Sequence, residues 1–503
     1  MTSPIPFGPY SDVRKYVKTL PTSAPPGHQD RVAAYGIFRE LYWTHNGTVK
    51  VMNRGLDEDD TPLYVPSARI VVDTMDRYVG PDMRFLVDPQ AAGTPQSRLD
   101  AQLAIDSLMK RERFYSRYAA NKLAGITVGD WCWHIVADPA KPQGRRLSIL
   151  PLRPDHYFTV YEDEVIEGGD PDTLVRIKLV EIVQVGDEQQ ARVQTYDRTL
   201  DEAGTIYSSL EMWKPEEWYD ETKSPLAVLS PPTPLPAAIT AFPVYHIPNG
   251  LNLDNEPWGM SQIRGLAQIL EALNQSNTDE DLSLALMGIG VYATDEPGRQ
   301  TDATGNPTDW FISPGAVISN AKGLRKVEGL TSLAPYTDHI NRLEGYMADA
   351  TGATDAARGR LEVSEAESGI ALTLRLAPTL AIARRSDQIV LDVHNQMIHD
   401  IVQMWLPTYE QMNFTDVQVN AVLGDKLPVN RAAEVELVGQ LTTFGILSKG
   451  SARTYLISKG FSGMFDPAEG DLVLAEQQAS AKAAVGGDDT EERADEELTD
   501  AGE

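Results

Sequence analysis

The feature that most constrains this chain is the stretch of residues 332–406, which has the pattern of a helix, a charged loop and a much longer helix. Pro335 suits a first helical turn, because the N–H that proline lacks would have no partner there. Leu343 and Met347 follow four residues apart, as one apolar helical face requires. Gly352 can end this helix, because glycine adopts the left-handed conformation without strain.

The second helix of this stretch is predicted over residues 368–406, a length of roughly 58 Å at 1.5 Å per residue. Pro378 lies inside it, so we expect a kink where the carbonyl oxygen of Leu374 loses its hydrogen-bond partner. Between the two helices, residues 353–367 surround Gly359 with charges and include only two large apolar side chains. We therefore predict a flexible loop there. Its charged residues are Asp355, Arg358, Arg360, Glu362, Glu365 and Glu367.

The composition limits the class of protein. A chain of 503 residues has room for two to four domains. Its net charge of −29 opposes a protein that grips DNA, since affinity for phosphate comes from Lys and Arg. That charge is compatible with a protein past which DNA moves without binding to it. The single cysteine, Cys132, excludes an intrachain disulfide and a Cys-based zinc site. No window approaches 18 uninterrupted apolar residues, so no membrane span is expected.

The first half of the chain changes from a helical to a strand periodicity near Gly125. Before it, the spacing of apolar and aromatic residues predicts helices over residues 31–43, 67–78 and 98–123. After it, alternation predicts antiparallel strands with tight turns such as Gly186-Asp187. The predicted strands cover residues 131–135, 145–152, 156–161, 175–185, 191–196 and 206–213.

Prolines and helical periodicity divide the middle of the chain. Residues 224–248 hold seven prolines and are predicted to be an irregular connector, because proline cannot pair in a central strand. Residues 257–288 are predicted to form one helix. A small α/β insert at 290–330 follows, with short strands at 291–294, 310–313 and 316–319. The helices on either side of this insert are expected to pair as a hairpin stem.

The carboxyl-terminal region is predicted to be mainly helical. A short strand at 416–422 precedes a helix that begins near Asn430 and ends at Gly445. The side chains expected to face inward on that helix are Ala433, Leu437, Leu441 and Phe444. Residues 488–503 contain nine acids and one base, which predicts a disordered tail.

Three short motifs carry a resemblance to a known family. TGATD at 351–355 is followed by SGIAL at 368–372, GILS lies at 445–448 and GITVGDW lies at 125–131. In this arrangement they resemble the TG-x-x-D…SG-x-AL, GILS and A-x-I-x-G-x-x-Y/W motifs of tailed-bacteriophage portal proteins of the siphovirus type. The likeness extends over most of residues 30–475, and the insert at 290–330 is matched by its position alone.

The resemblance implies an α+β portal-type fold with long stem and wing helices, a β-rich wing section, a small α/β clip and a helical crown. The parts would be an amino-terminal wing at 1–256, stem helices at 257–289 and 331–352, a clip at 290–330, a tunnel loop at 353–367, a kinked wing helix at 368–406, wing and crown at 407–475 and an acidic tail at 476–503. Twelve copies would form a ring at one capsid vertex, the channel for DNA packaging and ejection.

The resemblance also implies partners and sites. The partners would be the terminase large subunit, a head-tail adaptor, the major capsid and scaffold proteins, and double-stranded DNA passing through without sequence specificity. The protein would be found in the virion, and in the host cytoplasm during assembly, with no cofactor, metal or catalytic residue. The tunnel-loop residues facing DNA would be Asp355, Arg358, Gly359, Arg360, Glu362 and Glu365. Lys322, Arg325 and Lys326 would contact the terminase or adaptor.

Two interpretations of the tunnel-loop arginines stay open. Arg358 and Arg360 would touch DNA phosphates transiently, or they would form ion pairs with Glu362 or Glu365. Exposed ion pairs are common and weak, so the residues alone do not choose between the two.

A metal-dependent hydrolase built on paired carboxylates is the alternative function. Acidic runs at 57–60, 162–164 and 279–281 would then bind divalent cations, whereas solvated acidic surface explains them equally simply. His394 and His399 are five residues apart, so they lie about 140° apart around a helix, unlike the i, i+4 histidines of zinc proteases.

A run of bases and aromatics at residues 110–118 has two interpretations as well. Its members are Lys110, Arg111, Arg113, Phe114, Tyr115, Arg117 and Tyr118. Basic and aromatic side chains together are typical of single-strand nucleic-acid binding. A helix that buries its aromatic face and exposes its basic one has the same composition.

Overall fold

The computed structural model describes residues 20–43, 51, 62–88, 93–165, 168–170, 172–250, 257–289, 291–293, 300–301, 307–308, 325–327, 332–360, 369–414, 416–426, 431–446, 452 and 455–456. The chain divides into two compact units. The first comprises Met1–Val79, Phe114–Val393 and Thr408–Glu410, and the second comprises Gly80–Arg113, His394–Pro407 and Gln411–Glu503.

Helices and strands both contribute, so the predicted α+β class is confirmed. The described part of the chain holds first α1 (Gln29–Trp43), α2 (Ser67–Asp76), β1 (Arg84–Val87), α3 (Pro95–Arg111) and α4 (Phe114–Val128). The β-rich section holds β2 (Asp130–Ala137), β3 (Leu147–Leu152), a 3₁₀ turn (Pro154–His156), β4 (Tyr157–Tyr161), α5 (Glu162–Val165), β5 (Leu174–Val185), β6 (Glu188–Asp197), β7 (Tyr207–Trp213), β8 (Ala227–Pro234) and β9 (Val244–Pro248). The remainder holds α6 (Ala267–Ile289), β10 (Val291–Ala293), β11 (Gln300–Thr301), β12 (Pro307–Thr308), β13 (Arg325–Val327), α7 (Ala334–Thr351), α8 (Asp355–Arg358), α9 (Gly369–Asp400), a π-helix (Ile401–Glu410), β14 (Val419–Val422) and α10 (Arg431–Thr443).

Two antiparallel sheets form the β-rich part of the first unit. One has five strands in the order β4-β5-β6-β7-β8, and the other has the order β3-β2-β9. The predicted turn between β5 and β6 is present, with Gly186 at a φ of 63°. Cys132, Ile177 and Tyr196 pack with Trp258 in a core shared by strands of both sheets. The antiparallel β-rich section predicted from alternation is therefore confirmed.

The proline-rich connector predicted at 224–248 is wrong in part, because β8 and β9 are strands within it. Both lie at the edge of their sheets. Proline is tolerated in edge strands, and the pairing of β8 with β7 shifts register on either side of Leu210, within the proline-rich stretch.

Two predicted helices have different bounds in the structure. The helix at 98–123 is divided into α3 and α4, because Arg113 adopts a φ of 51°. The helix at 257–288 begins only at Ala267. Gly265 has a φ of 77° just before that start. Gly259 approaches other backbone so closely that a Cβ would lie 2.2 Å from the carbonyl oxygen of Gly129. A helix of 23 residues is roughly 35 Å long, shorter than one that covered all of residues 257–288.

The long helix α9 continues through Pro378 from Gly369 to Asp400 and then becomes the π-helix. Leu374, whose carbonyl oxygen loses its helical partner, has a side chain that is 70% exposed. Water can reach that face of the helix, which explains why proline is tolerated inside it. None of the helices described is long and apolar enough to cross a bilayer.

The second unit contains a small two-stranded sheet of β1 and β14. The side chain of Gln102 in α3 makes two hydrogen bonds to the backbone of β1. It accepts from the N–H of Val87 and donates to the carbonyl oxygen of Phe85. On α10 the predicted inward face is wrong, because Leu437 is 51% exposed and Phe444 is 74% exposed. Among the side chains described on α10, from Val435 onward, Val438 is the buried one, so this part of the helix is rotated by about one residue from the expected orientation.

Candidate functional site: the helix pair and the turn that follows it

The helices α6 and α7 pack side by side and antiparallel. Near one end, Gln262 donates to the carbonyl oxygen of Thr351 at 2.8 Å, and near the other the Thr337 hydroxyl donates to Glu280 at 3.0 Å. Leu343 and Met347 of α7 enter the same core cluster as apolar residues of α6. The helix predicted to end at Gly352 is confirmed, with that glycine at a φ of 71°.

Gly352 is required by its conformation and by its surroundings. The Thr379 hydroxyl of α9 donates to its carbonyl oxygen. A Cβ at this position would lie 2.5 Å from Cδ1 of Ile382. A Cβ there would require the end of the Ile382 side chain to move, so the left-handed conformation is the main reason for glycine at the end of α7.

The residues after Gly352 form a packed turn. Thr354 caps the short helix α8 by accepting from the N–H of Ala357 at 3.3 Å. Ala353 is 0% exposed and Ala357 is 3% exposed. The flexible loop predicted over 353–367 is therefore wrong for residues 353–360. Small alanines and a threonine cap hold this turn without large apolar side chains, and Gly359 ends it at a φ of 79°.

One carboxylate of α7 pairs with both arginines of the predicted tunnel loop. Glu344 Oε2 lies 2.6 Å from Arg360 Nη1 and 3.5 Å from Arg358 Nη1. Asp355 Oδ1 lies 3.9 Å from Arg358 Nη1. The side chain of Arg358 is 3% exposed and that of Arg360 is 54% exposed. Burial lowers the pKa of Arg358 from its usual value, and the Glu344 charge opposes that effect.

Sequence reasoning missed Glu344 as the shared partner. It precedes the arginines by more than a dozen residues, and only the packing of α8 onto α7 brings them together. The expected partners Glu362 and Glu365 lie outside the described residues, as do Glu367 and residues 361–368 generally.

The predicted clip residues are described only in part. Lys322 lies outside the described residues, as do the strands expected at 310–313 and 316–319. Arg325 and Lys326 belong to β13, which pairs antiparallel with β10 opposite Ala293 and Tyr292.

A second polar centre, also missed from the sequence, lies between α1 and the β3-β2-β9 sheet. The Asp130 carboxylate is 0% exposed and accepts from the Tyr35 hydroxyl, from His246 Nε2 at 2.7 Å and from the Gly259 N–H at 2.8 Å. These bonds fix the segment that precedes α6. Three charge-assisted bonds of this kind stabilise a buried carboxylate.

This centre places the side chains of Asp130, Cys132 and His246 on one face of the sheet, since Cys132 is directly opposite His246. Cysteine, histidine and aspartate together are typical of nucleophilic catalysis. The Cys132 thiol, however, is 0% exposed, and burial raises its pKa well above the usual value. A thiol that is neutral and sealed from solvent packs as a small apolar residue.

Arg31 of α1 is a buried cation beside this centre. It donates to the carbonyl oxygens of Pro154 and Tyr157, at 2.8 and 2.9 Å, and its guanidinium carbon lies 3.6 Å from the Trp258 ring centroid. Burial, with the Arg31 charge second, lowers the pKa of His28 to about 3.

The other sequence hypotheses have separate outcomes. Among the described residues, no group of three or more His, Cys, Asp or Glu side chains is arranged to hold a metal ion. The acidic run at 57–60 lies outside the described residues. Phe114 is buried and stacks on Trp133 at 4.8 Å, and Arg117 donates to the carbonyl oxygen of Ile149. Phe114, the first residue of α4, is therefore part of the hydrophobic core.

Comparison with known proteins gives structural likenesses only. No family model matches the chain, and no curated protein matches it. It is similar to a chain of "Neck of empty GTA particle computed with C6 symmetry" at TM-score 0.43 and 13% identity, covering 89% of this chain and 98% of that one. A chain of "Neck of native GTA particle computed with C12 symmetry" matches at TM-score 0.40 and 13% identity, covering 79% and 95%. A chain of "Virion of native gene transfer agent (GTA) particle" matches at TM-score 0.40 and 12% identity, covering 84% and 92%.

Proposed function

We propose that this chain is the subunit of a portal ring, a dodecamer at one capsid vertex through which DNA is packaged and later ejected. The observation that carries the proposal is the order of α6, α7, the packed turn α8 and the long helix α9. Two antiparallel helices that leave and return to one body, with an insert between them, form a stem. A ring of such stems encloses a channel that no single copy can form.

The exposed surface of the helix pair supports assembly. Leu284 of α6 and Tyr346 of α7 are each 55% exposed. Large apolar side chains on an isolated two-helix stem would remain in water, whereas neighbouring copies in a ring would cover them. A closed ring gives every stem the same two neighbours.

The charge distribution supports passage of DNA without adhesion. The helix α6 contains four acids, Glu271, Asp279, Glu280 and Asp281, and no lysine or arginine. A duplex carries one negative charge per about 1.7 Å, so acidic stems repel it. Arg360, at 54% exposure, is the tunnel-loop cation able to reach a phosphate. Arg358 lies in a buried position beside Glu344.

The remaining assignments follow from the same proposal. The insert at 290–330, with Lys322, Arg325 and Lys326, is the clip that meets the terminase large subunit and later the head-tail adaptor. The β-rich section and the residues after 407 form wing and crown toward the capsid and scaffold proteins. The chain is then a virion component that assembles in the host cytoplasm, and its role is structural rather than enzymatic.

Mass measurement and imaging test the proposal. Multi-angle light scattering of purified protein is expected to give a particle near twelve times 55.3 kDa, and negative-stain images are expected to show end-on annuli. A monomer or dimer that shows no annulus would overturn the proposal. Divalent-dependent oligomerisation without an annulus would favour the hydrolase alternative.

A further inference from the structure

We propose that a groove on the five-stranded sheet binds a glutamate or aspartate side chain of a partner protein. The groove has a volume of about 200 Å³ and lies on the face of β5, β6 and β7 opposite the core that contains Tyr196. Pockets for drug-sized ligands measure about 300–1,000 Å³, so this groove has room for one side chain. The site belongs to one copy of the chain and does not depend on the proposed ring.

The floor of the groove is one row of polar residues across three strands. Lys178 of β5 is directly opposite Thr195 of β6, and Thr195 is directly opposite Ser209 of β7. Opposite residues in antiparallel strands point to the same face, with their Cβ atoms about 4.5–5.5 Å apart. All three line the groove, so the row presents an ammonium group and two hydroxyls side by side.

The other charged groups that line the groove already have partners. Nε of Arg176 lies 2.6 Å from Oδ2 of Asp197, and Nη1 of the same arginine lies 3.2 Å from Oε1 of Glu221. The Glu211 carboxylate accepts from Nε1 of Trp213 at 2.9 Å. Asp197 and Glu211, the carboxylates that line the groove, are therefore each engaged by a group other than Lys178.

Lys178 is a cation without an ion pair among the described residues. Its Nζ donates to the carbonyl oxygen of Trp218 at 3.4 Å and lies 5.6 Å from the centroid of the Trp218 ring. Burial, followed by the charge of Arg176, lowers the pKa of Lys178. The hydroxyls of Thr195 and Ser209 likewise make no hydrogen bond to another described residue. The row therefore has donors available for an external acceptor.

A carboxylate matches this row in its charge and in its number of acceptors. Its single negative charge neutralises that of Lys178, and its two oxygens can accept from the ammonium group and from both hydroxyls. A phosphate dianion fits less well, because its second negative charge would lie beside Asp197 and Glu211. Hydrogen bonds to an ionised group are roughly twice as strong as those between neutral groups. We therefore expect the groove to distinguish a carboxylate from the neutral amide of the same shape.

The neighbouring edge strand favours a polypeptide as the source of that carboxylate. Val228 of β8 is directly opposite Glu211, so it lies on the same face as the groove, and it is 54% exposed. Leu229 beside it is 55% exposed, and Pro232 of the same strand lines the groove. Contiguous exposed apolar side chains rimmed by polar ones mark protein-binding surfaces. A peptide with a glutamate over Lys178 would cover these side chains, whereas a free carboxylate would leave them in water.

Two peptides that differ in one group test the inference. The probes are a leucine-glutamate-leucine tripeptide and the same tripeptide with glutamine in the middle, each acetylated and amidated at its ends. Saturation-transfer NMR measures their binding to the full-length protein. The glutamate peptide is expected to bind at least tenfold more tightly than the glutamine peptide, because it alone accepts charge-assisted bonds from the row.

Lys178→Met is expected to abolish this preference, since methionine keeps the apolar stem and loses the charge. The matched control is Lys141→Met, which removes a lysine that is 50% exposed in the turn between β2 and β3 and is expected to keep the preference. Melting temperatures identify a variant that fails to fold. If Lys178→Met is one, Ser209→Ala replaces it and is expected to weaken binding of the glutamate peptide about fivefold.

The outcomes separate this site from its alternatives. Equal binding of both peptides to the wild type, binding of neither, or a preference that Lys178→Met retains would overturn the site. Acetate that binds as tightly as the glutamate peptide would assign the groove to free carboxylates and overturn the partner-protein assignment. A protein that binds the glutamate peptide and forms no ring would overturn the portal proposal alone.

Discussion

The Thr379 hydroxyl donates a hydrogen bond to the carbonyl oxygen of Gly352 and so ties the end of α7 to the middle of α9. In the proposed ring this bond connects the stem helix α7 directly to the long helix α9. The packed residues 353–360 begin directly after Gly352 in the chain. The position of the tunnel loop then depends on the contact between these two residues.

Gly352→Ala is expected to lower the free energy of unfolding by about 1–2 kcal/mol. A left-handed conformation costs an L-residue about 1–2 kcal/mol, and the added Cβ meets Ile382. Urea unfolding measures the change. Gly36→Ala in α1 is the matched control, because no atom lies within 4 Å of its Cβ position, and helix propensity predicts a gain of about 0.5–1 kcal/mol. Equal stability of the Gly352 and Gly36 variants would contradict the role of Gly352.

Glu410→Gln is expected to destabilise the first unit by about 1.5–3 kcal/mol. The Glu410 carboxylate is 2% exposed and accepts from the backbone N–H groups of Gly144, Arg146 and Leu147, whose bonds to a charged acceptor are strong. Glutamine replaces one acceptor oxygen by a donor that would face N–H groups. Glu188→Gln, at an exposed position of β6, is the control and is expected to change stability little. A loss below 0.5 kcal/mol at Glu410, on the scale of surface substitutions, would contradict the expected contribution.

Stability is expected to fall as the pH is lowered from 6.5 toward 4. Burial lowers the pKa of His134 to about 4 and that of His28 to about 3, so the folded chain keeps both rings neutral while the unfolded chain protonates them near pH 6.5. Each histidine then costs about 2 kcal/mol of stability between pH 6.5 and pH 5.

Melting temperatures at pH 7.5 and pH 5 measure this effect. His134→Gln is expected to flatten the pH dependence. An identical slope in wild type and His134→Gln would show that His134 does not titrate as its burial requires.

Arg360→Ala is expected to reduce the amount of DNA packaged per particle while leaving the ring intact. Arg360 is the exposed cation of the turn. Its replacement by alanine also removes the closer of the two ion-pair partners of Glu344. Arg358→Ala is expected to reduce thermal stability instead, because that side chain is 3% exposed. Packaging that is unchanged in Arg360→Ala, and in Arg360→Ala combined with Arg358→Ala, would remove the contact with DNA from the proposal.

Local pattern determined a large part of the fold. The spacing of Leu343 and Met347 placed one face of α7, Gly352 ended that helix, and alternation found six of the strands in the two larger sheets. These features depend on residues within one or two turns of each other. Periodicity and backbone preference are therefore sufficient to predict them.

Only the tertiary structure decided the features that depend on distant partners. Asp130 accepts from the Gly259 N–H where the sequence predicted a helix, and Glu344 pairs with the buried Arg358 where it predicted a flexible loop. The proline-rich segment contains the strands β8 and β9, because each of them lies at the edge of its sheet, where proline is tolerated. In each case a contact or a sheet neighbour far along the chain outweighs the local preference, because satisfying a buried charge or pairing a backbone stabilises more than propensity does.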